Sequence, residues 1–258
     1  MDAATAAIQA LTANENAGLV MDFDGVLSRI TDDPDASELL PGTKEILAGL
    51  ATRLSVVALL SGRPAGFLAA RASIPGVELY GSYGLEHLTE NGIEVDPEAQ
   101  QWMTAVSAAT QALHRELDDI EGIYVEDKSL AVAVHWRRVP DRDSATKRIA
   151  PLVQEMISTH GLRHEPGKFV EELRMPLKQD KGTALQRIIS TRNIQAVAYA
   201  GDDRGDMPAF EAATAAGGHA LVIDAPDIAP DVSKIAGAHF DSPEQFQAWL
   251  QQLSDAMR

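Results

Sequence analysis

Several residue types that define other classes of protein are scarce or missing in this sequence. None of its 258 residues is cysteine, which excludes disulfides, thiolate chemistry and cysteine-ligated zinc. Lysine and arginine number 22 against 38 aspartates and glutamates, and the net charge of −16 offers no general attraction for nucleic acids or anionic membranes. Apolar runs such as residues 56–60 are far too short to span a bilayer. We therefore expect no nucleic-acid partner and no membrane association.

The start of the chain and the overall composition add to this interpretation. Residues 1–16 are rich in alanine but have neither the basic region nor the apolar core of a secretory signal. Hydrophobic residues make up 45% and charged residues 23% of the chain, as in folded soluble proteins. We interpret the chain as a cytoplasmic monomer. A small anionic ligand would need a few cations or a metal ion to reverse the acidic field locally.

Short apolar segments alternate with segments of helical spacing along most of the chain. This alternation predicts an α/β fold in which helices cover both faces of a parallel sheet. The predicted strands are residues 18–24, 54–60, 76–82, 195–200 and 219–224, and the predicted helices include residues 42–53 and 243–257. An acid-rich stretch at residues 32–35 is typical of a solvated turn.

The middle of the chain follows a different pattern. Its helix-like and strand-like segments have the order αββαβ, over residues 97–119, 122–137, 141–160 and 168–174. This order predicts an inserted α+β domain at residues 97–176, which divides the main domain into residues 1–96 and 177–258.

Polar residues cluster where the predicted strands end. The clusters are Asp22 with Asp24, Ser61 with Arg63, and Asp202 with Asp203 and Asp206, together with Lys181 at the start of a helix. Since ligands of parallel α/β sheets bind beyond the carboxyl ends of the strands, these side chains are candidates for one site. Carboxylates crowded there would repel one another without a cation, and oxygen ligands favour Mg²⁺ over zinc. Taken singly, each cluster also fits an ordinary turn or helix cap.

The order of these motifs is similar to that of a known family. MDFDG, SGR, KGTAL and GDDRGD, at residues 21–25, 61–63, 181–185 and 201–206, resemble the four motifs of haloacid-dehalogenase-like phosphatases. YGSYGLEH, VEDKSLAVAVHWR and GKFVEELRMP further resemble stretches of trehalose-6-phosphate phosphatases. The resemblance extends over residues 18–240. It implies a Rossmann-like core with a parallel sheet and an inserted α+β cap domain.

The resemblance implies roles for the acidic residues of the core. Asp22 would be the nucleophile that forms an aspartyl-phosphate, and Asp24 would be the general acid and base. Mg²⁺ would be bound by Asp22, the main-chain carbonyl of Asp24, and Asp202. Asp203 and Asp206 would orient water molecules and a lysine of the site.

The other core motifs would stabilise charge on the transferring phosphoryl group. Lys181 would neutralise the nucleophile and the phosphate. Ser61, Gly62 and Arg63 would bind the substrate, with Ser61 donating a hydrogen bond to a phosphoryl oxygen. Arg63 would reach either the phosphate or the sugar, and the phosphate is the favoured partner.

The inserted domain would close over the site, exclude water and bind the part of the substrate that does not react. Glu126 and Lys128 alternate in one predicted strand and so project to the same face. Together with Glu172, they resemble sugar-contacting residues of the family. Without the resemblance, the same three residues would fit a solvated ion-pair cluster.

The resemblance implies Mg²⁺-dependent hydrolysis of a small sugar phosphate, trehalose 6-phosphate, to trehalose and phosphate. The alternatives are a phosphatase for the phosphates of sucrose or glucosylglycerol or for mannosyl-phosphoglycerate, a sugar phosphomutase, and a non-catalytic sugar-phosphate sensor. A sensor would be free to lose Asp22 or Asp24, and both are present. The chain departs from the family pattern at four positions, which are Val26, Tyr83, Gly205 and Met207. These departures bear on substrate choice more than on the metal site.

Overall fold

The computed structural model describes residues 1–31, 36–167, 169–224 and 229–258. The chain forms two compact units, one of residues 1–94 with 179–258 and the other of residues 95–178. The turn predicted at residues 32–35 and the first residue of the strand predicted at residues 168–174 lie outside the described residues.

The strands and helices in the described ranges are as follows. The strands are β1 (Ala17–Met21), β2 (Val56–Leu60), β3 (Val77–Gly81), β4 (Glu86–Thr89), β5 (Gly92–Val95), β6 (Tyr124–Asp127), β7 (Ala131–His135), β8 (Arg163–Gly167), β9 (Val170–Arg174), β10 (Ala196–Gly201), β11 (His219–Ile223) and β12 (Ala238–Phe240). The helices are α1 (Ala3–Thr12), α2 (Thr43–Ala51), α3 (Ala65–Ala72), α4 (Pro97–Gln100), α5 (Met103–Leu117), α6 (Arg142–His160), α7 (Lys181–Thr191), α8 (Met207–Ala215) and α9 (Pro243–Ala256). Within the described ranges, none of these helices is long and apolar enough to cross a membrane.

The sheet of the first unit has the strand order β12–β11–β10–β1–β2–β3–β4–β5. Neighbouring strands are parallel from β12 to β3, and β4 runs antiparallel to β3. In the central strand, Leu19 pairs with Ala198 of β10 on one side and with Val57 of β2 on the other. This parallel sheet with helical connections confirms the predicted α/β class.

Helices cover both faces of this sheet because the central strands are apolar at every position. All residues of β1 and β2 are buried. Leu19 and Met21 pack with α1, α2 and α9 on one face, whereas Val20 packs with α7 and α8 on the other. Burial on both faces leaves the strand ends as the place where polar groups can gather.

The second unit is built on an antiparallel sheet with the strand order β6–β7–β9–β8. Helices α5 and α6 cover one face, where Leu113 and Ile149 pack with Val125, Val132 and Leu173. Because side chains alternate along each strand, the other face carries the polar residues of the same strands. The fold of this segment confirms the predicted α+β class.

Some elements differ from the sequence prediction. The helix predicted at residues 97–119 is divided into α4 and α5 by a turn at which Trp102 packs against the core of the second unit. The sequence pattern does not predict β8, because its residues, RHEPG, have no apolar alternation and include Pro166; pairing with β9 orders them. Also unpredicted are the helices α1 and α3 and the strands β4, β5 and β12; these three strands are short and lie towards the edges of the sheet.

Candidate functional site

Asp22 lies directly after β1, at the carboxyl end of the central strand. Its backbone N–H donates to the carbonyl oxygen of Ala200 on β10 at 2.9 Å, which continues the ladder by one residue. Its side chain is buried, with Oδ1 accepting from the N–H of Phe23 at 2.7 Å and Oδ2 lying 2.7 Å from Nζ of Lys181. The carboxylate is therefore held in one orientation with a cation against it.

Lys181 is the first residue of α7, and the helix start fixes its position. The carboxylate of Asp180 caps the helix by accepting from the N–H of Thr183 at 2.8 Å. Lys181 is only 3% exposed, and its Nζ lies 2.7 Å from both Asp22 Oδ2 and Asp206 Oδ1. Burial opposes its charge, but the two aspartates raise the pKa of Lys181 well above its ordinary value. Lys181 is thus a permanent cation between two carboxylates.

Asp206 is surrounded by donors from the protein. Its Oδ1 accepts from Lys181 and from the hydroxyl of Tyr199, and its Oδ2 accepts from the N–H groups of Asp202 at 2.9 Å and Asp203 at 3.1 Å. Burial disfavours the charged form, but Lys181 and these hydrogen bonds keep the pKa of Asp206 below its usual range. Asp206 therefore positions Lys181 and the loop after β10, with both oxygens already engaged.

Tyr199 is a site residue that the sequence analysis does not identify. It lies on β10, is fully buried and donates its hydroxyl to Asp206. The available signal is a hydroxyl-bearing residue in an otherwise apolar strand, three positions before Asp202. That signal does not show where the hydroxyl points, which depends on the packing of α8 and the following turn.

Asp202 packs against the loop that follows the nucleophile candidate. Gly25 has a φ of +72°, and a Cβ there would lie 2.1 Å from Oδ2 of Asp202. Asp202 is 7% exposed, and no hydrogen bond to its carboxylate is found in the described part of the chain. Only a glycine permits both this backbone conformation and this approach.

The acidic groups lie close enough to share a cation. Carboxylate oxygens of Asp22, Asp202 and Asp206 lie within 4.8 Å of one another. Burial, followed by the charges of neighbouring aspartates, raises the pKa of Asp202 to about 9, and burial is also the main cause that raises the pKa of Asp22 to about 7. Asp206 accepts from four donors, whereas Asp22 has one partner at each oxygen, so Asp22 and Asp202 are the carboxylates with lone pairs left for a metal ion. This all-oxygen set fits Mg²⁺.

Asp203 lies on the exposed side of this loop. Its Oδ1 accepts from the N–H of Gly205 at 2.8 Å and so caps the turn at residues 204–206. This contact needs no side chain at position 205, so the glycine found there leaves the turn intact.

Arg63 pairs with Asp24 in this structure. Its Nε donates to Asp24 Oδ2 at 2.8 Å, and its guanidinium also lies over the ring of Phe67, 4.5 Å from the centroid. The sequence analysis favours the phosphate as the partner of Arg63, and the structure shows that Asp24 is a second possible partner for the same guanidinium. Through Arg63, the loop after β2 fixes the orientation of Asp24.

Ser61 and Gly62 form the turn that leads from β2 towards α3. Ser61 is 2% exposed, and its Oγ accepts from the N–H of Arg63 at 3.2 Å. Tyr83 lies against Gly62, where a Cβ would come 2.9 Å from the ring. Tyr83 thus packs directly on the loop that carries the three candidate substrate-binding residues of the core.

The second unit brings Glu126, Lys128 and Glu172 together on the polar face of its sheet. Nζ of Lys128 lies 2.8 Å from Oε2 of Glu172 and 3.7 Å from Oε2 of Glu126. His135, which the sequence analysis does not assign to the site, holds Glu126 through Nε2 at 2.9 Å. Arg174 lies 3.8 Å from Glu172. The side chains on this face therefore form one connected network of acidic and basic groups.

Known proteins share both the sequence pattern and the fold of this chain. The trehalose-phosphatase family matches residues 20–239. A trehalose-phosphate phosphatase of Mycobacterium leprae (strain TN) is 35% identical over 268 residues, which cover 96% of this chain and 60% of that protein. The chain thus spans about 60% of the length of this relative.

Two solved structures show the fold at lower identity. The C-terminal domain of C. albicans trehalose-6-phosphate phosphatase has a TM-score of 0.75 at 20% identity, covering 98% of this chain and 96% of that one. A haloacid dehalogenase-like hydrolase from Bacteroides thetaiotaomicron has a TM-score of 0.64 at 13% identity, covering 92% of this chain and 99% of that one. The fold and the strand-end motifs define a haloacid-dehalogenase-like protein. Within that class, the chain belongs to the trehalose-phosphatase family.

Proposed function

We propose that this chain is a Mg²⁺-dependent phosphatase that hydrolyses trehalose 6-phosphate through an aspartyl-phosphate on Asp22. One observation carries the chemistry: Lys181 lies 2.7 Å from both Asp22 and Asp206 in a buried cluster of acids at the end of the central strand. Such a group can bind a dianionic phosphoryl group only when cations offset its charge. Membership of the trehalose-phosphatase family supports the choice of sugar.

The carboxylates of Asp22 and Asp202 and the main-chain carbonyl of Asp24 would hold the Mg²⁺ ion. Burial is the main cause that raises the pKa of both Asp22 and Asp202, with neighbouring aspartates adding to it, and a bound cation would favour the charged form of both carboxylates. When bound, the ion would supply positive charge that offsets the repulsion between the carboxylate of Asp22 and the phosphoryl oxygens. Asp206 would remain outside the coordination sphere, because its four donors already occupy both oxygens.

In the first chemical step, a carboxylate oxygen of Asp22 attacks phosphorus, and the bond between phosphorus and the sugar oxygen breaks. Asp24 gives its proton to that oxygen, so trehalose leaves as a neutral alcohol. Lys181 and Ser61 stabilise the negative charge on the phosphoryl oxygens. Arg63 orients Asp24 through the 2.8 Å contact seen here.

In the second step, Asp24 takes a proton from a water molecule, whose oxygen attacks phosphorus. The bond between Asp22 and phosphorus then breaks, which releases phosphate and restores the carboxylate of Asp22 and the protonated form of Asp24. One aspartate thus serves as acid and then as base, as the order of the two half-reactions requires.

The polar face of the second unit would recognise the sugar. Glu126, Lys128 and Glu172 present acceptors and donors, with Lys128 within 3.7 Å of both glutamates, a density that suits the many hydroxyls of a disaccharide. Sugar binding remote from the reacting bond would supply energy for catalysis.

Phosphate release from a panel of sugar phosphates tests the proposal. Trehalose 6-phosphate, sucrose 6-phosphate, glucosylglycerol phosphate, mannosyl-phosphoglycerate and an aryl phosphate are compared with Mg²⁺ and after chelation. We expect preference for trehalose 6-phosphate and loss of release with chelator. Preference for another sugar phosphate would show that trehalose 6-phosphate is not the substrate. If no compound releases phosphate, the non-catalytic sugar-phosphate sensor becomes the favoured function.

Asp22→Asn is the matched inactive control, since the amide has the same shape but is neither nucleophile nor anionic ligand. Turnover above about one tenth of the wild-type rate would show that Asp22 is not the attacking group. Its melting temperature, compared with wild type, separates lost chemistry from lost folding.

A further inference from the structure

The loop at residues 61–65, which carries Ser61 and Arg63, is held by the segment at residues 80–86. The N–H of Ser61 donates to the carbonyl of Tyr80 at 3.0 Å, and the N–H of Tyr83 donates to the carbonyl of Ser61 at 2.9 Å. The N–H of Ser82 donates to the carbonyl of Arg63 at 2.8 Å. The loop therefore takes its shape from a second segment of chain, as well as from the end of β2.

The two segments approach too closely for side chains between them. A Cβ at Gly81 would lie 2.1 Å from the backbone nitrogen of Ala65. A Cβ at Gly62 would meet the ring of Tyr83 at 2.9 Å. Because the two segments are in direct contact, a small shift of one moves the other.

Glu86 is a buried carboxylate that the proposed mechanism does not use. It begins β4, is 2% exposed, and its Oε2 accepts from the N–H of Ala65 at 2.7 Å. Ala65 is the first residue of α3, and the preceding Pro64 provides no side-chain cap. Glu86 thus caps this helix from 21 positions away in the chain. A negative charge is stabilised at that place by the helix dipole and by the charge-assisted hydrogen bond.

We infer that Glu86 is a positioning residue, which holds the N–H of Ala65 and thereby fixes the 61–65 loop so that Ser61 presents its hydroxyl to the phosphoryl group. The inference rests on the proposed function of Ser61. Every contact that carries it lies within the first unit. Glu86 is assigned no contact with the substrate or with the reacting atoms.

The test compares Glu86→Ala and Glu86→Gln with wild type. The amide oxygen of Gln can still accept from Ala65, whereas Ala cannot. We measure kcat and KM for trehalose 6-phosphate and an aryl phosphate, binding of inorganic phosphate by calorimetry with Mg²⁺, and melting temperature. For Glu86→Ala we expect KM for both substrates, and the dissociation constant of inorganic phosphate, to rise roughly 10-fold or more. Glu86→Gln should recover most of that loss.

A double-mutant cycle with Ser61→Ala separates positioning from a general loss of stability. If Glu86 acts through Ser61, adding Glu86→Ala to Ser61→Ala should change phosphate binding by less than about 2-fold. Full additivity of the two losses would overturn the inference. Should Glu86→Ala fail to fold, Glu86→Asp takes its place in the cycle, because its side chain is one methylene too short to keep the 2.7 Å contact with the N–H of Ala65 unless the backbone shifts.

Glu78→Gln is the matched control. Glu78 lies on the neighbouring strand β3, where it accepts from Tyr80 at 2.6 Å and from Arg192 at 2.6 Å. The Glu78→Gln substitution weakens these two contacts, so it should lower the stability of the protein without changing KM or the affinity for phosphate. The inference is wrong if Glu86 variants lower the melting temperature in the same way and leave phosphate binding within about 2-fold of wild type. Phosphate binding is measured without turnover, so an inactive wild type would contradict the proposed function while still testing Glu86.

Discussion

Asp24 and Arg63 form an ion pair, and the role of Arg63 depends on whether it orients Asp24 or binds the phosphoryl group. Both are partly buried, with side-chain exposures of 29% and 17%, so their contact is less screened than a surface ion pair. An acid that must lose and regain a proton needs a fixed orientation towards the leaving oxygen. The 2.8 Å contact with Arg63 supplies that orientation.

Asp24→Asn should slow hydrolysis of trehalose 6-phosphate by about 10²–10⁴-fold, because the sugar oxygen leaves poorly without a proton. An aryl phosphate has a better leaving group and needs less help. Rapid-quench measurement of phosphoenzyme formation should therefore show a smaller loss with the aryl substrate. Equal losses in that step would contradict the role of Asp24 as leaving-group acid.

Arg63→Ala distinguishes two roles for this arginine. If Arg63 acts through Asp24, as its position here indicates, kcat/KM should fall by about 10–150-fold for trehalose 6-phosphate, the range expected for a lost charge-assisted hydrogen bond. The aryl phosphate should lose much less. Equal losses with both substrates would instead show that Arg63 binds the phosphoryl group, which both share.

At the scale of elements, the loop after β1 and the loop after β10 meet at a single glycine. Gly25→Ala would place a methyl group 2.1 Å from Oδ2 of Asp202, in addition to the strain of a φ of +72°. Gly217 has a φ of +74°, and no atom of the described residues lies within 4 Å of the position that a Cβ would take there. Gly217→Ala therefore isolates the backbone strain alone.

Both alanine variants should lose about 1–2 kcal/mol of stability from left-handed backbone strain. Only Gly25→Ala should also abolish Mg²⁺-dependent turnover and the stabilisation that Mg²⁺ gives in thermal unfolding. Denaturant unfolding with and without Mg²⁺ measures both effects. A Gly25→Ala protein that keeps its response to Mg²⁺ would show that Asp202 is not a metal ligand.

The elements that can be predicted from sequence are those whose pattern is local. The central strands β1, β2 and β10 are apolar runs that end at polar motifs, and chain order alone places Asp22, Asp202 and Ser61 at strand ends. Parallel pairing then brings those ends to one edge. The sequence therefore indicates where a site can form before any contact is known.

The remaining features depend on contacts between distant parts of the chain. In the sequence, Tyr199 and Glu86 are indistinguishable from ordinary strand residues. Tyr199 acts through its hydrogen bond to Asp206, and Glu86 through its hydrogen bond with the first residue of α3. In the sequence, His135 is only a polar residue within an apolar strand. Its role becomes visible through its contact with Glu126. β8 is ordered by pairing with β9 rather than by its own composition. Hydrophobic periodicity carries no information on such partners.

At the scale of the whole molecule, the proposed function requires an acidic chain to bind an anion. Its net charge of −16 repels a phosphorylated sugar at a distance. Lys181 in the first unit and Lys128 in the second are cations held by carboxylates, so each offsets acidic charge where a substrate group would bind. The proposed function accordingly assigns the phosphoryl group to the first unit and the sugar to the second.

Glu172→Ala tests this division. A charge-assisted hydrogen bond to a sugar hydroxyl is worth about 1.5–3 kcal/mol, so kcat/KM for trehalose 6-phosphate should fall roughly 10–150-fold. An aryl phosphate, which has no sugar, should be hydrolysed at nearly the wild-type rate. Glu171→Ala is the matched control, because the neighbouring Glu171 points to the opposite face of β9 and pairs with His164. Equal slowing of both substrates by Glu172→Ala would assign Glu172 to the fold or the metal site. If Glu172→Ala slows the hydrolysis of neither substrate, the polar face binds a different sugar. The assignment of trehalose would then be wrong, while the assignment as a phosphatase would stand.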